Sequence, residues 1–224
     1  MDKHIQKITE LHIEKTIKAL EANNMMAIYV PTIADVVPKV TDLLNEGDTV
    51  SFGGSMSLYE AGVIDHLRSG RYHCLDRDAP GLSREQVNRI QREAFSADAY
   101  LCSAGAVTMN GEIYSVDGNS NRVAATLFGP ASVIMVVGTN KLVHDLDGAV
   151  TRVKTVAAPA NAARLDCDTY CAHKGECTSF SENVSGMTTG CTSPGRICCS
   201  YIVCAYQRHK ERIKVILVGE ALGY

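Results

Sequence analysis

Seven of the nine cysteines in this 224-residue sequence fall between residues 166 and 204. Four of them, Cys171, Cys177, Cys191 and Cys198, are separated by five, thirteen and six residues. Thiolates are soft ligands that suit either an iron–sulfur cluster or zinc. The segment is rich in Gly, Ser and Thr and has no clear apolar period, so burial alone would not order it. We therefore predict that these four cysteines bind one metal centre.

Other assignments of these thiols stay open. Cys199 is adjacent to Cys198 and is an alternative fourth ligand, and His173 is a substitute ligand. Isolated cysteines are often buried as small hydrophobic residues, but that reading needs apolar surroundings, which this segment lacks. Cys74 and Cys102 lie inside predicted strands and are expected to be core residues.

Two Gly-rich segments are candidates for a small-molecule site. Gly53-Gly54-Ser55 follows a predicted strand and opens a helix, so its backbone N–H groups would face an anion beyond the carboxyl end of a sheet. The second segment, residues 105–122, combines turn residues, a carboxylate and a cation at a strand-to-helix junction. The residues predicted to bind the ligand are Gly53, Gly54, Ser55, Gly105, Gly118, Asn121, Arg122 and Asn161.

Each segment also has a purely structural interpretation. The first matches no complete phosphate-loop or dinucleotide fingerprint and is also explained as a plain turn. In the second, Asp117 would cap a helix while Arg122 forms a surface ion pair. Glu60 and Asp117 are the candidate catalytic carboxylates.

Strand-like and helix-like segments alternate along most of the chain. This pattern predicts an α/β fold with a mainly parallel sheet and helices on both faces. Asn110-Gly111 predicts a β-hairpin, and strands are predicted over 26–30, 132–138 and 212–220. We expect an N-terminal helix over residues 1–24 whose apolar stripe packs on an α/β domain over 25–224, which includes a Cys-rich loop over 166–204.

Composition excludes several classes of function. A net charge of −3 leaves no positive surplus for a nucleic-acid backbone. No apolar run approaches the roughly 20 residues that span a bilayer, and the N-terminus mixes charges at helical spacing, unlike a signal peptide. We expect no nucleic-acid or membrane partner and a cytoplasmic location, where thiols stay reduced.

Six motifs occur in order from about Thr49 to the C-terminus: GGSMSLYEAGV, GAVTMNGEIYSVDGNSNRVAA, VIMVVGTNKLV, RVKTVAAPANAARL, SPGRIC and RIKVILVGEALGY. Together they resemble the LUD (lactate-utilisation) domain family of the LutC/YkgG type. The resemblance implies a fold like that of ribose-5-phosphate isomerase and CoA-transferase domains, which bind sugar phosphates or acyl-CoA esters near Gly-rich loops. Compared with such relatives, residues 178–190 look like an insertion. The family's redox link favours a [4Fe–4S] cluster over zinc.

Three functions follow as hypotheses. The first is a redox-system protein that acts on a small hydroxy- or keto-acid, binds an anionic small molecule and an iron–sulfur cluster, and works with other redox subunits. The second is a transferase or isomerase for a phosphorylated or CoA-linked metabolite, with a structural zinc and with Glu60 or Asp117 as the working carboxylate. The third is a non-catalytic redox-sensing or assembly protein. A shared fold does not select among them.

Overall fold

The central element is a six-stranded sheet in which every pair of neighbouring strands is parallel. The computed structural model describes residues 2–182, 184 and 186–224, so Met1 and, within the predicted insertion, Asn183 and Ser185 lie outside the described residues. The strands are β1 (Met26–Val30), β2 (Thr49–Phe52), β3 (His73–Leu75), β4 (Ala99–Cys102), β7 (Ser132–Gly138) and β10 (Ile213–Val218). Their spatial order is β1-β10-β7-β4-β2-β3. The predicted α/β class is confirmed.

A second sheet of four strands lies beside the first. It consists of β5 (Ala106–Thr108), β6 (Ile113–Asp117), β8 (Leu142–Val143) and β9 (Ser200–Cys204), in the order β8-β5-β6-β9. The antiparallel pair β5 and β6 confirms the predicted hairpin at Asn110-Gly111. Strand β9 corrects the predicted end of the Cys-rich loop, because residues 200–204 pair with β6 and belong to the sheet.

Ten α-helices connect and cover these strands in the described part of the chain. They are α1 (Lys3–Ala22), α2 (Val36–Asp42), α3 (Met56–Glu60), α4 (Val63–Leu67), α5 (Arg84–Glu93), α6 (Asn121–Leu127), α7 (Leu146–Arg152), α8 (Ala158–Arg164), α9 (Tyr170–Lys174) and α10 (Thr178–Ser181). A π-helical segment, Val153–Ala157, joins α7 to α8. The helical stretch that begins at Leu146 therefore continues to Arg164. No described helix is both long enough and apolar enough to cross a membrane.

Both faces of the central sheet are buried, as strand β7 illustrates. Ile134 and Val136 point into a core that also contains residues of α2, α3 and α4. Val133, Met135 and Val137 point the other way, into a core shared with α1, α6 and the second sheet. This period-two division explains why the strand is apolar at every position from 133 to 137.

Helix α1 packs on the body through its C-terminal half. Ile13 and Leu20 are buried, whereas Ile5 and Ile8 are at least half exposed. The expectation that the whole apolar stripe packs on the body is therefore correct for the second half of the helix and wrong for the first.

The connections after β2 and after β4 lead in opposite directions across the sheet. The connection from β2 leads outward to β3, whereas the connection from β4 leads the opposite way to β7. Such a switch point opens a crevice at the carboxyl ends of the two strands. Gly53-Gly54-Ser55 follows β2 and Ser103-Ala104-Gly105 follows β4, so both loops lie at this crevice.

Candidate functional site

A cavity of about 330 Å³ lies at the carboxyl ends of β2 and β4. Its walls come from the loops after these strands, from the β6–α6 turn, and from the π-helical segment and α8. Short π-helical segments recur at functional sites. The volume falls within the range of small-molecule sites.

Arg122 lies in the cavity wall in a fixed position. Its guanidinium donates hydrogen bonds to the carbonyl oxygens of Ser103 (3.2 Å) and Val116 (2.5 Å). Gly53 makes room for this side chain, because a Cβ on Gly53 would lie 3.0 Å from Arg122 Cδ. These contacts hold the guanidinium in place at the carboxyl edge of the sheet.

The carboxylate of Asp117 organises the turn before α6. One oxygen accepts hydrogen bonds from the backbone N–H groups of Arg122 (3.1 Å) and Val123 (3.2 Å), and the other accepts from that of Asn119 (3.1 Å). Arg122 Nε also lies 3.6 Å from Asp117 Oδ2. Asp117 thus has the capping role that the structural interpretation proposed, while it also lines the cavity.

The cavity lining carries excess positive charge. Its cationic residues are Arg77, Arg122, Lys141, Arg164 and Arg196. Asp117 is the one acidic side chain among the described residues that line it. The charge of the lining is therefore complementary to that of an anion.

Lys141 lies deepest among these cations. Its side chain is 1% exposed, and Nζ donates hydrogen bonds to Ser57 Oγ (2.7 Å) and Ser103 Oγ (3.0 Å). Burial, reinforced by the nearby charges of Arg152 and Arg122, lowers the pKa of Lys141 from 10.5 to about 7. Part of the Lys141 population is therefore a neutral amine near pH 7.

The four predicted metal ligands, Cys171, Cys177, Cys191 and Cys198, line a second, smaller cavity of about 30 Å³. Burial raises the pKa of Cys198 to about 12, and the other three thiols add to this shift. Within the described residues, no three His, Cys, Asp or Glu side chains are arranged to hold a metal ion.

Arg196 and Lys154 hold the cysteine loop together. The Arg196 guanidinium donates hydrogen bonds to the carbonyl oxygens of Cys198 (2.7 Å) and Cys191 (2.8 Å). The Lys154 ammonium donates to the Gly186 carbonyl oxygen (2.7 Å), and its own carbonyl oxygen accepts from the N–H of Cys177. These two cations thus anchor the backbone of this part of the chain.

The two cavities share a wall. Val153, Ala158, Arg196 and Cys198 line both of them. A ligand in the larger cavity would therefore lie next to the cysteine site.

The family model described as the LUD domain matches residues 13–218. The chain belongs to the LUD domain family. The family is associated in general with lactate utilisation. No curated protein matches the chain.

Solved structures similar to this LUD domain show the fold alone. A DUF162 family protein from Deinococcus radiodurans is 16% identical, with a TM-score of 0.50 over 95% of this chain and 98% of its own. The delta and beta subunits of eIF2B from Chaetomium thermophilum are 19% and 17% identical, with TM-scores of 0.34 and 0.35. Each covers 50% of this chain, and the matches span 49% and 43% of their own chains.

Most of the residues that the sequence predicted to bind a ligand lie together at the larger cavity. Those in its lining are Gly54, Ser55, Gly105, Gly118, Asn121, Arg122 and Asn161. Gly53 does not line it, and its N–H donates to the Leu101 carbonyl oxygen instead of facing the cavity. Glu60 also lies outside this lining, and its carboxylate accepts a hydrogen bond from the Gly223 N–H (2.7 Å).

The remaining cysteines and His173 lie away from the smaller cavity. Cys102 and Cys204 are buried in the core, and Cys74 packs against it half-buried. Cys199 is exposed, and the His173 ring forms a hydrogen bond with the Asp168 carboxylate. Cys198, and not Cys199, therefore faces the other three thiols.

Sequence reasoning missed Lys141, along with Arg77, Arg164 and Tyr224 in the cavity lining. A signal for Lys141 was present, because it comes three residues after the end of β7, the most apolar strand of the chain. The rule that ligands bind at strand carboxyl ends would have selected it.

Proposed function

We propose that this LUD domain binds a small anionic acid of the hydroxy- or keto-acid class in the larger cavity and serves the redox metabolism of such acids. The observation that carries the proposal is the convergence of cationic side chains on a cavity with one acidic residue in its described lining. Buried cations without full compensation favour an anionic ligand, because its charge offsets their desolvation cost.

Arg122 is the residue expected to hold the carboxylate of the ligand. It is anchored by the carbonyl oxygens of Ser103 and Val116, so little side-chain freedom is lost when an anion binds. Guanidinium groups also match carboxylates in geometry, since they donate two parallel hydrogen bonds.

Calorimetric titration with lactate, pyruvate and inorganic phosphate tests this role. Arg122→Met should weaken binding of the preferred acid by about tenfold or more, the equivalent of one lost charge-assisted hydrogen bond. Arg89→Met is the matched control, because Arg89 is exposed on α5 and pairs with Glu93. Equal affinities for wild type and Arg122→Met would contradict the proposal.

We further propose that Cys171, Cys177, Cys191 and Cys198 hold an iron–sulfur cluster of the [4Fe–4S] type. The donor set supports this, because four thiols line one small cavity and soft sulfur ligands select iron–sulfur clusters or zinc. When bound, the cluster would supply one-electron redox chemistry. Zinc remains the alternative metal for the same thiols.

Metal analysis after anaerobic purification tests the cysteine site. Iron and sulfide should be present, and replacement of any one of the four cysteines by Ser should remove most of the metal. Cys74→Ser is the control, since Cys74 packs against the hydrophobic core. Zinc without iron would favour the structural-zinc alternative, and the absence of both metals would contradict a metal centre.

A transferase or isomerase acting on a phosphorylated or CoA-linked metabolite is the second candidate. Arg77 and Arg164 support it, because they add two guanidinium groups to the same lining and a phosphate monoester carries more charge than a single carboxylate. Tighter binding of a phosphorylated ligand or CoA ester than of lactate and pyruvate would favour this candidate.

A further inference from the structure

Lys141 occupies a position built by three neighbouring strands of the central sheet. It follows β7, while Ser103 follows β4 and Ser57 lies in α3 after β2. The order β7-β4-β2 brings the three side chains together, with Lys141 Nζ donating to both hydroxyls. An amine is thus held at the carboxyl edge, in the lining of the larger cavity.

The charges that face Lys141 are mainly positive. Arg152 and Arg122 disfavour a charged amine, whereas Glu60 and Cys102 act weakly in the opposite direction. Among the described residues, Lys141 forms no ion pair within 4.0 Å. Desolvation and neighbouring cations are the two features that activate lysine as a nucleophile.

We infer that the Lys141 amine forms an imine with the carbonyl carbon of an oxo-acid bound in the larger cavity. This inference rests on the proposed function, since the acid group of the ligand must be held there by Arg122. Arg122 and Lys141 line the same cavity, and the Arg122 charge acts on the Lys141 amine, so an acid held by Arg122 would lie near this amine. The ligand class is thereby narrowed from small acids to carbonyl compounds that carry an anionic group.

The step balances without an oxidant or reductant. The nitrogen lone pair of Lys141 attacks the carbonyl carbon, a C–N bond forms, and the carbonyl oxygen takes up a proton to give a carbinolamine. The C–O bond then breaks, the oxygen leaves as water with both protons of the amine, and a C=N bond remains. Ser57 and Ser103 are placed to pass these protons, since their hydroxyls contact Nζ.

Reductive trapping tests the inference on the wild-type protein. The protein is incubated with pyruvate or glyoxylate and sodium cyanoborohydride, and labelled lysines are identified by peptide mass spectrometry. A pKa near 7 in place of 10.5 gives Lys141 roughly 10³ times the neutral-amine fraction of an ordinary lysine at pH 7. Labelling at Lys141 should exceed that at every other lysine by more than about tenfold.

Two controls sharpen the result. Labelling at Lys141 should rise between about pH 6 and pH 8, as the amine loses its proton, while labelling of surface lysines stays low. Lys141→Arg keeps a cation in the cavity and should abolish the specific label. A comparison within the wild-type peptide map keeps the test valid even if this variant does not fold.

Binding of the same oxo-acids, measured separately by calorimetry, distinguishes the two possible failures. If pyruvate binds in an Arg122-dependent manner without specific trapping, the imine inference is overturned and the proposed function stands. If no oxo-acid binds or is trapped but lactate binds in an Arg122-dependent manner, only the imine inference is overturned. If lactate does not bind either, both are overturned. Trapping spread evenly over many lysines also contradicts the inference.

Discussion

At the scale of single residues, the larger cavity depends on polar groups held in place by backbone atoms. Arg122 and Arg152 each donate two hydrogen bonds to backbone carbonyl oxygens around the cavity. Their guanidinium groups are therefore ordered before any ligand arrives. Lys141 is held instead by the hydroxyls of Ser57 and Ser103. Because its pKa is lowered to about 7, its amine can gain or lose a proton near neutral pH.

The buried charge of Lys141 should appear in the pH dependence of stability. Its folded pKa of about 7 lies below the unfolded value of 10.5, so the unfolded state binds more protons between these pH values and stability rises with pH there. At pH 6 the cost of burying the ammonium is fully present. The fall in pKa from 10.5 to about 7, at about 1.4 kcal/mol per pKa unit, corresponds to about 5 kcal/mol at pH 6. Lys141→Met also loses the hydrogen bonds to Ser57 and Ser103, which offsets about 1–3 kcal/mol, so the variant should be more stable than wild type by about 2–4 kcal/mol at this pH.

Chemical denaturation at several pH values measures this difference. The difference in unfolding free energy between Lys141→Met and wild type should narrow steadily from about pH 7 to pH 9. Over this range Lys141 loses its proton in the folded state and keeps it in the unfolded state. The thiols and tyrosines with raised pKa values are common to both proteins and largely cancel in the comparison. A gap that does not change with pH would contradict a buried, titrating Lys141.

At the scale of elements, the β5–β6 hairpin fixes where α1 docks. Gly111 in the hairpin turn has a φ of +77°, and a Cβ there would lie 2.6 Å from the backbone carbonyl carbon of Ala19 in α1. Asn23 also donates side-chain hydrogen bonds to the carbonyl oxygens of Asn110 and Gly111. The turn and the end of the helix thus fit against each other closely.

Gly111→Ala should destabilise the fold through two effects, backbone strain and collision with α1. Gly81→Ala is the matched control, because Gly81 has a φ of +80° but nothing within 4 Å of the position of its Cβ. We expect a loss of about 1 kcal/mol for Gly81→Ala and about 3 kcal/mol or more for Gly111→Ala. Equal losses in the free energy of unfolding would contradict the close packing of α1 on the hairpin.

Sequence reasoning predicted the elements better than it predicted the details of the site. Strands β1 and β7 were predicted to the residue, over 26–30 and 132–138. The second sheet was missed for two reasons. Strand β8 has only two residues, and β9 lies within the Cys-rich segment 166–204, which was predicted to be a loop. Local patterns do not report the long-range pairing of β9 with β6.

Some residues of the site could likewise be predicted from the sequence, and others could not. Glycines and polar turn residues near the cavity were predicted because they break the apolar pattern at strand ends. Glu60 was selected for its residue type, yet its exposed carboxylate contacts the C-terminal segment at Gly223. The place of Lys141 just after β7 could have selected it from the sequence, but the burial and neighbouring cations that lower its pKa are properties of the folded molecule.

At the scale of the whole molecule, the two cavities adjoin each other and share a wall. The larger cavity lies at the switch point of the central sheet, and the cysteine loop contributes Arg196 and Cys198 to its lining. A bound acid and a metal centre would therefore be neighbours, which is the arrangement that redox chemistry on a small molecule requires. On the proposed assignment, one domain would supply both sites.

A crystal structure of the protein soaked with pyruvate tests the central claim most directly. We expect electron density in the cavity between β2 and β4, with the carboxylate on the Arg122 guanidinium and the carbonyl carbon facing Lys141. The same soak of Arg122→Met crystals should leave the cavity without pyruvate. Pyruvate bound only elsewhere on the wild-type protein, or bound identically in the Arg122→Met variant, would contradict the assignment of this cavity as the acid-binding site.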